Sequence, residues 1–255
     1  MSLFNGSVYS QSLGMDTGLC VVLPYDRPVE NQQYPCKVVY LLHGLGNRCD
    51  TWLRGSTVEV MAKEKGIALI MPEVQRSIYT DMAHGLKYFT YVSQELPKLC
   101  SRIFNISTKR EDTFIAGLSM GGYGALKCAM TYPEQYSAAA SFSGAVDLSW
   151  IRENLPDAFD VEEMRGIFGM NLEMKPQSDL RYLAEKMSKL SKDEQSKIFM
   201  TCGRQDYLYP SNIGFRNYMN TLPIPFEYME WDGDHNWKFW EESIKIVLYK
   251  WMPTV

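Results

Sequence analysis

Short apolar runs alternate along this chain with longer segments whose apolar positions recur at a helical period. The runs are rich in β-branched residues, and each is followed by Gly, Pro or polar residues. This alternation predicts an α/β fold in which helices cover both faces of a mostly parallel sheet. The predicted central strands are Val38 to Leu42, Ile67 to Met71, Thr113 to Ala116, Ala138 to Phe142, Ile198 to Cys202 and Phe226 to Trp231.

Two earlier runs, Gly6 to Leu13 and Thr17 to Leu23, are predicted to pair as antiparallel strands across the turn-forming Gly14-Met15-Asp16. The last predicted helix carries an apolar stripe containing several tryptophans, which core packing explains better than a cofactor. The predicted helices are Trp52 to Glu64, Lys87 to Ile103, Gly122 to Met130 and Trp237 to Trp251.

The stretch from Leu148 to Asp193 interrupts this rhythm, because it is long, rich in Met, Phe, Leu and acidic residues, and lies between two predicted strands. We expect residues 148–193 to form a small helical cap inserted into a single domain that spans residues 1–255. Ligands of such sheets bind beyond the carboxyl ends of the strands, so an insertion there would roof the site. A surface helical hairpin without substrate contact is the alternative.

Composition and charge narrow the classes of partner. The 255 residues are 45% apolar and 22% charged, with a net charge of -4 and scattered Lys and Arg, which argues against nucleic-acid binding. No basic segment followed by an apolar core opens the sequence, and no apolar run approaches the roughly 20 residues that span a bilayer. We therefore expect a cytoplasmic protein with no membrane partner.

The cysteines and histidines do not suggest a metal centre. The six cysteines are widely spaced without a Cys-x-x-Cys pair, which favours buried, reduced thiols over disulfides. The three histidines are far apart, and no two of them lie one helical turn from each other. We expect neither a metal nor a cofactor.

A candidate nucleophile lies at Ser119, within Gly117-Leu-Ser119-Met-Gly121. The motif follows a predicted strand and precedes a predicted helix, which is the context of a nucleophile elbow. Gly117 and Gly121 are required there because a Cβ would crowd the close approach of helix and strand. Met120 then presents its backbone N–H at the helix N-terminus, where developing negative charge is favoured.

A second backbone donor is predicted at Leu45. The apolar strand ending at Leu42 leads directly into His43-Gly44-Leu45-Gly46, a turn placed before the elbow in the chain. Two converging N–H groups, from Leu45 and Met120, would stabilise the oxyanion of a tetrahedral intermediate. A glycine-rich turn without a catalytic role is the alternative.

The base and the acid are expected after the elbow, in the chain order Ser, acid, His. Only His235 follows the elbow, in a loop between the last predicted strand and the last helix. Asp206 ends the preceding strand region and is the candidate acid that would accept the Nδ1–H of His235. The neighbouring Asp232 and Asp234 are the alternatives for that acid.

The two earlier histidines receive other roles. His43 precedes the glycine-rich turn and is expected to support it rather than act as the base. His84 lies in a polar segment and is expected to be a loop residue.

Together these motifs resemble the esterase D and tributyrin-esterase branch of the α/β hydrolases, over nearly the whole chain. The residues that carry the resemblance are His43-Gly-Leu-Gly, Tyr79-Thr-Asp-Met-Ala with Gln94-Glu-Leu-Pro, Gly117-Leu-Ser-Met-Gly-Gly-Tyr-Gly-Ala, Gly203-Arg-Gln-Asp206 and Gly233-Asp-His235-Asn-Trp. The resemblance implies a serine carboxylesterase for short acyl esters that works through an acyl-enzyme, with Ser119, Asp206 and His235 as the triad. It also implies a possible homo-oligomer.

The resemblance leaves several substrates open: a short-chain ester, an S-formylglutathione-type thioester, or a feruloyl or acetyl-sugar ester. Trp52, Tyr79, Trp150 and Trp237 are candidate residues for an aromatic pocket, although large aromatics usually belong to the core. A catalytically silent scaffold is the non-enzyme alternative, but such proteins commonly lose the nucleophile or the base, and this chain keeps both.

Overall fold

The computed structural model describes residues 1–25, 35–155 and 160–251. Its centre is an eight-stranded sheet with the order β1-β2-β4-β3-β5-β6-β7-β8. Pairs β1–β2 and β2–β4 are antiparallel, and all the others are parallel, which confirms the predicted mostly parallel α/β sheet. The strands are β1 (Ser2–Ser10), β2 (Met15–Leu23), β3 (Val38–Leu42), β4 (Ala68–Pro72), β5 (Thr113–Leu118), β6 (Ala138–Phe142), β7 (Lys197–Gly203) and β8 (Phe226–Trp231).

Helices connect the parallel strands. They are α1 (Thr51–Gly55), α2 (Val58–Lys65), α3 (Tyr88–Thr90), α4 (Leu96–Ile103), α5 (Met120–Thr131), α6 (Leu148–Asn154), α7 (Val161–Phe168), α8 (Leu180–Met187), α9 (Tyr209–Met219) and α10 (Trp237–Ile246). Two π-helical segments, Tyr91–Glu95 and Val247–Trp251, continue α3 into α4 and extend α10. Short 3₁₀ turns lie at Arg110–Asp112 and Pro176–Ser178.

The centre of the sheet is buried on both faces because β3 and β4 are apolar at every position rather than at alternate ones. In β3, Tyr40 and Leu42 pack into one hydrophobic cluster, whereas Val39 and Leu41 pack into the cluster on the opposite face. Side chains of α5, α8 and α9 belong to the first cluster, and those of α2 and α10 to the second. Helices therefore cover both faces, as predicted.

The predicted end of the first strand is corrected by tertiary contacts. Strand β1 ends at Ser10 rather than Leu13, because Ser10 Oγ and the backbone N–H groups of Gln11 and Ser12 donate to the carboxylate of Glu95. The turn therefore precedes Met15, which already belongs to β2.

The single helix predicted from Trp52 to Glu64 is divided into α1 and α2. Ser56 is extended, with φ −151° and ψ 171°, and ends α1. Thr57 donates from both its backbone N–H and its hydroxyl to Glu241 of α10. A contact with a distant helix thus replaces the local hydrogen bonds that would have continued the helix.

Helix α9 is absent from the sequence-based prediction. Its Gly214 lowers its intrinsic helical propensity, and its buried Asn212 breaks the apolar stripe. The Asn212 amide donates to the backbone oxygen of Gly144, 2.9 Å away. Tertiary packing therefore stabilises this helix.

The segment predicted as a helical cap contains α6, α7, the Pro176–Ser178 turn and α8; residues 156–159 within it lie outside the described residues. Helix α8 packs against α5, and the α6 end of the segment lies nearest the carboxyl edge of the sheet.

All six cysteines are buried and free. In the described part of the chain, no three His, Cys, Asp or Glu side chains are grouped so as to hold a metal ion. Within residues 1–25, 35–155 and 160–251, no helix has the length and apolarity needed to cross a membrane.

Candidate active site

Ser119 lies in a sharp turn between β5 and α5. Its backbone has φ 53° and ψ −119°, a conformation that a residue with a side chain rarely adopts. The turn is held because Ser119 N–H donates to the oxygen of Phe142, and its own oxygen accepts from Tyr123 and Ala145. Such strain persists only where the surrounding structure fixes it, and here it projects the hydroxyl beyond the sheet edge.

The glycines on either side of Ser119 are required by space. A Cβ on Gly117 would lie 2.4 Å from the backbone of Gly121, and one on Gly121 would lie 2.4 Å from the oxygen of Leu42. Neither position could accept a side chain without displacing backbone. The predicted steric reason for both glycines is therefore confirmed.

The loops carrying Asp206 and His235 are bound to each other. Gln205 N–H donates to the oxygen of Gly233, and Gly233 N–H donates to the Gln205 side chain. A Cβ on Gly203 would lie 2.3 Å from the Gly233 oxygen, so this close approach needs a glycine. Asp206 and His235 are thereby held in a fixed relation.

The side chains of Ser119, His235 and Asp206 form a continuous hydrogen-bonded chain. His235 Nε2 lies 3.0 Å from Ser119 Oγ, and His235 Nδ1 lies 2.8 Å from Asp206 Oδ2. The second carboxylate oxygen of Asp206 accepts from the backbone N–H of Leu208 at 2.8 Å. Because a carboxylate can only accept, Nδ1 carries the proton and Nε2 presents a lone pair to the serine hydroxyl.

The two alternative acids point elsewhere. Asp232 is 79% exposed and pairs with Arg204, while Asp234 accepts from the backbone N–H of His235. The Asp206 side chain is fully buried, and that of His235 is only 12% exposed. The geometry therefore favours Asp206 as the partner of the imidazole.

The glycine-rich turn lies beside Ser119. Asn47 N–H donates to the Gly44 oxygen, and Gly46 adopts φ 73°, which places Leu45 at the tip of the turn. A Cβ on Gly44 would lie 3.4 Å from that of Ser119. Leu45 and Met120 line the same cavity as Ser119, the arrangement that their predicted role as oxyanion donors requires.

His43 supports this turn from behind. Its Nδ1 is 2.8 Å from the oxygen of Gly44, and its Nε2 accepts from the backbone N–H of Val74 at 3.1 Å. Both nitrogens are occupied and the side chain is buried, which gives the ring a structural role. His84 is an exposed loop residue.

A cavity of about 400 Å³ opens beside Ser119 and His235, and its walls are mostly apolar. Its lining combines the two turns, the end of α6, the Asp206 loop and the start of α10. The lining residues are Gly44, Leu45, Asn47, Leu118, Ser119, Met120, Ala145, Ile151, Leu155, Tyr207, Leu208, His235, Trp237 and Trp240.

Of the four aromatic residues predicted to line a pocket, only Trp237 is on the cavity wall. For Trp52 and Tyr79 the prediction is corrected, because both are fully buried and their polar atoms bond to backbone oxygens of Leu42 and His43. Trp150 is half-buried and packs against the core instead.

Two aromatic cavity residues were not predicted. Tyr207 packs 4.5 Å from the imidazole of His235, and Trp240 meets that ring edge-on at 5.0 Å. Two signals in the sequence could have identified them. Tyr207 immediately follows Asp206, and Trp240 lies one helical turn from Trp237. Trp52 contributes indirectly, since its ring stacks edge-on behind Trp237 at 5.3 Å.

Comparison with solved structures identifies similar folds along nearly the whole chain. The fluorophosphonate-binding serine hydrolase F of Staphylococcus aureus, solved with substrate bound, is 32% identical and has a TM-score of 0.88, covering 98% of both chains. An S-formylglutathione hydrolase of Staphylococcus aureus is 34% identical, with a TM-score of 0.85 and 98% of both chains covered. The sheet and helices are thus those of the α/β-hydrolase fold.

Comparison of sequences agrees. An acetyl esterase of Caldicellulosiruptor saccharolyticus is 31% identical over 266 aligned positions, covering 100% of this chain and 99% of that protein. The model of the family described as putative esterase matches residues 10–248, a span that includes the elbow, the acid and the histidine. The chain therefore belongs to the putative esterase family.

Proposed function

We propose that this protein is a serine carboxylesterase that hydrolyses short-chain acyl esters through an acyl-enzyme. Ser119 is the nucleophile, His235 the general base and acid, and Asp206 the carboxylate that orients the imidazole. The observation that carries the proposal is the chain of hydrogen bonds from Ser119 Oγ through His235 to Asp206, at 3.0 and 2.8 Å.

Acylation begins when Ser119 Oγ attacks the carbonyl carbon of the ester and His235 Nε2 takes the hydroxyl proton. The carbonyl oxygen becomes an oxyanion, which the N–H groups of Leu45 and Met120 stabilise. The intermediate collapses, the bond to the alcohol oxygen breaks, and Nε2 returns the proton to the leaving alcohol. The acyl group is then bound to Ser119.

Deacylation repeats these steps with water. His235 Nε2 takes a proton from the water as its oxygen attacks the acyl carbon, and the same N–H groups stabilise the second oxyanion. Collapse breaks the bond to Ser119 Oγ, which recovers its proton from Nε2. The carboxylic acid leaves and the enzyme is regenerated.

The cavity favours a small, neutral acyl ester. Its walls contain Ile151, Leu155, Trp237 and Trp240, and among the described residues that line it none is Lys or Arg. A glutathione thioester carries carboxylates that would need a cationic partner. The acetyl esterase relative supports the ester, whereas the S-formylglutathione hydrolase likeness supports a thioester as the second candidate.

A substrate panel separates these candidates. We expect the highest kcat/KM on p-nitrophenyl acetate or butyrate, with lower values on p-nitrophenyl octanoate, methyl ferulate and S-formylglutathione. A maximum on S-formylglutathione would assign the thioester instead, and one on methyl ferulate would assign the cinnamoyl ester. If none of the five substrates is hydrolysed, the catalytically silent scaffold becomes the better explanation.

We further propose that α6, at the start of the 148–193 segment, limits the length of the acyl chain. Ile151 of this helix is 4% exposed and lines the cavity. Replacing it by Ala removes side-chain volume from the wall, so the ratio of kcat/KM for octanoate over acetate should rise about 10-fold. Hydrolysis of the p-nitrophenyl series measures this ratio.

Ile167→Ala is the matched control. Ile167 is also a buried isoleucine of the 148–193 segment, on α7, but it does not line the cavity. Its replacement should lower stability without changing the octanoate-to-acetate ratio. Equal ratios in wild type and Ile151→Ala would contradict the role of α6.

A further inference from the structure

A lysine of α5, the helix that follows Ser119, is buried. Lys127 of α5 is only 1% exposed, and its ammonium donates to uncharged acceptors: the Tyr79 oxygen at 3.1 Å, Thr80 Oγ1 at 3.0 Å and Ser178 Oγ at 3.4 Å. Burial lowers the pKa of Lys127 to about 8. Lysine is rarely buried this way, because its charged form is costly to desolvate.

Aromatic rings offset part of this cost. Nζ lies 4.6 Å from the ring centroid of Phe89 and 5.5 Å from that of Tyr123, distances at which a cation is attracted to a ring face. Tyr123 also donates its hydroxyl to the Ser178 oxygen, so the 3₁₀ turn Pro176–Ser178 is bound to α5 beside the lysine. Lys127 thus connects α5 to two separate segments.

The first of these segments is strained. Gln75, Ile78 and Tyr79 adopt φ values of 52°, 51° and 46°, which cost free energy for residues with side chains. The Tyr79 ring is confined as well, since a Cβ on Gly124 of α5 would lie 2.5 Å from it. Lys127 therefore donates to the backbone oxygen of a residue in this strained segment.

Tyr79 in turn contacts the oxyanion turn. Its hydroxyl donates to the backbone oxygen of His43 at 3.0 Å, directly before Gly44 and Leu45. The His43 ring bonds forward to the Gly44 oxygen. A continuous path of hydrogen bonds therefore runs from Lys127 through Tyr79 to the turn that carries the Leu45 N–H.

We propose that Lys127 is a positioning residue for the oxyanion hole: it fixes Tyr79, and Tyr79 fixes the His43-Gly44-Leu45 turn relative to Ser119. This rests on the proposed function of Leu45 and Ser119. Lys127 touches neither the substrate nor the reacting atoms. The N–H of this turn stabilises the transition state more than it stabilises the bound substrate. Displacement of the turn should therefore lower kcat more than it changes KM.

The test is a double-mutant cycle of Lys127→Met, Tyr79→Phe and the double variant, with Lys186→Met as control. Lys186 is an exposed lysine of α8. For each protein, kcat and KM on p-nitrophenyl acetate, the rate of phosphonylation by a fluorophosphonate, and the midpoint of thermal unfolding are measured. Phosphonylation needs Ser119 and the oxyanion hole but no ester turnover.

We expect Lys127→Met to lower kcat and the phosphonylation rate about 10- to 100-fold, with KM changed by less than about threefold. Tyr79→Phe should lower both rates, and the double variant should be no slower than Lys127→Met, because both changes interrupt one path. Lys186→Met should match wild type.

The proposal would be overturned if folded Lys127→Met kept the wild-type kcat and phosphonylation rate. It would also be overturned if the fold-decreases of the two single variants multiplied in the double variant. If Lys127→Met does not fold, Lys127→Gln replaces it in the same cycle with the same two criteria. If wild type is phosphonylated rapidly but hydrolyses no ester, the proposed function is refuted and the proposal for Lys127 is not. The phosphonylation rates of the four proteins in the cycle then test the role of Lys127.

Discussion

Ser119→Ala is expected to lower kcat for ester hydrolysis by about 10⁵-fold or more, since removal of a triad serine leaves only binding and the oxyanion hole. No other group at the site replaces the lost nucleophile, and the acyl-enzyme cannot form. Alanine tolerates the Ser119 backbone no worse than serine, so the midpoint of thermal unfolding should change little. Hydrolysis of p-nitrophenyl acetate and labelling by a fluorophosphonate measure the effect.

Ser243→Ala is the matched control for that variant. Ser243 is a buried serine of α10 that bonds to Thr201 and Phe239, away from the cavity. It should retain activity within about threefold of wild type and remain labelled. Substantial turnover by Ser119→Ala, or labelling of a different residue, would contradict the assignment of the nucleophile.

Asp206→Asn is expected to lower kcat about 10⁴-fold while the protein remains folded. The amide can donate to Nδ1, which would move the imidazole proton to Nε2 and remove the lone pair that faces Ser119 Oγ. The asparagine oxygen can still accept from the Leu208 N–H, so the loop should keep its shape. Steady-state kinetics on p-nitrophenyl acetate, together with the thermal midpoint, separate lost chemistry from lost folding.

The other two aspartates of this region provide the comparison. Asp232 is exposed beside Arg204, and Asp234 caps the backbone of His235. Asp232→Asn and Asp234→Asn should each keep kcat within about threefold of wild type. If one of them lost activity while Asp206→Asn did not, the acid would have to be reassigned to that residue.

Much of the fold was predictable because its signals are local. The predicted bounds of β3, β6 and β8 agree with the structure. For β3 the reason is that a continuous apolar segment followed by turn residues is accommodated best inside a covered sheet. The glycines around Ser119 likewise predict the nucleophile elbow, because a residue with a Cβ does not fit at their positions between β5, α5 and β3.

Other elements were not predictable, because distant contacts decide them. Helix α9 contains Gly214 and the buried Asn212 and forms through tertiary packing. The division between α1 and α2 depends on Glu241 of α10. The aromatic pocket was misjudged for the same reason. The local sequence around a tryptophan such as Trp52 does not show whether the side chain lines a cavity or is buried in the core behind it.

The sequence by itself determined the α/β class, the elbow at Ser119 and the order in which candidate acid and histidine follow it, since these depend on patterns within a few residues. Only the tertiary structure decided that Asp206 rather than Asp232 or Asp234 meets the imidazole, which residues wall the cavity, and that Lys127 bonds to Tyr79. These depend on distances of a few ångströms between segments far apart in the chain, and local pattern carries no such distances.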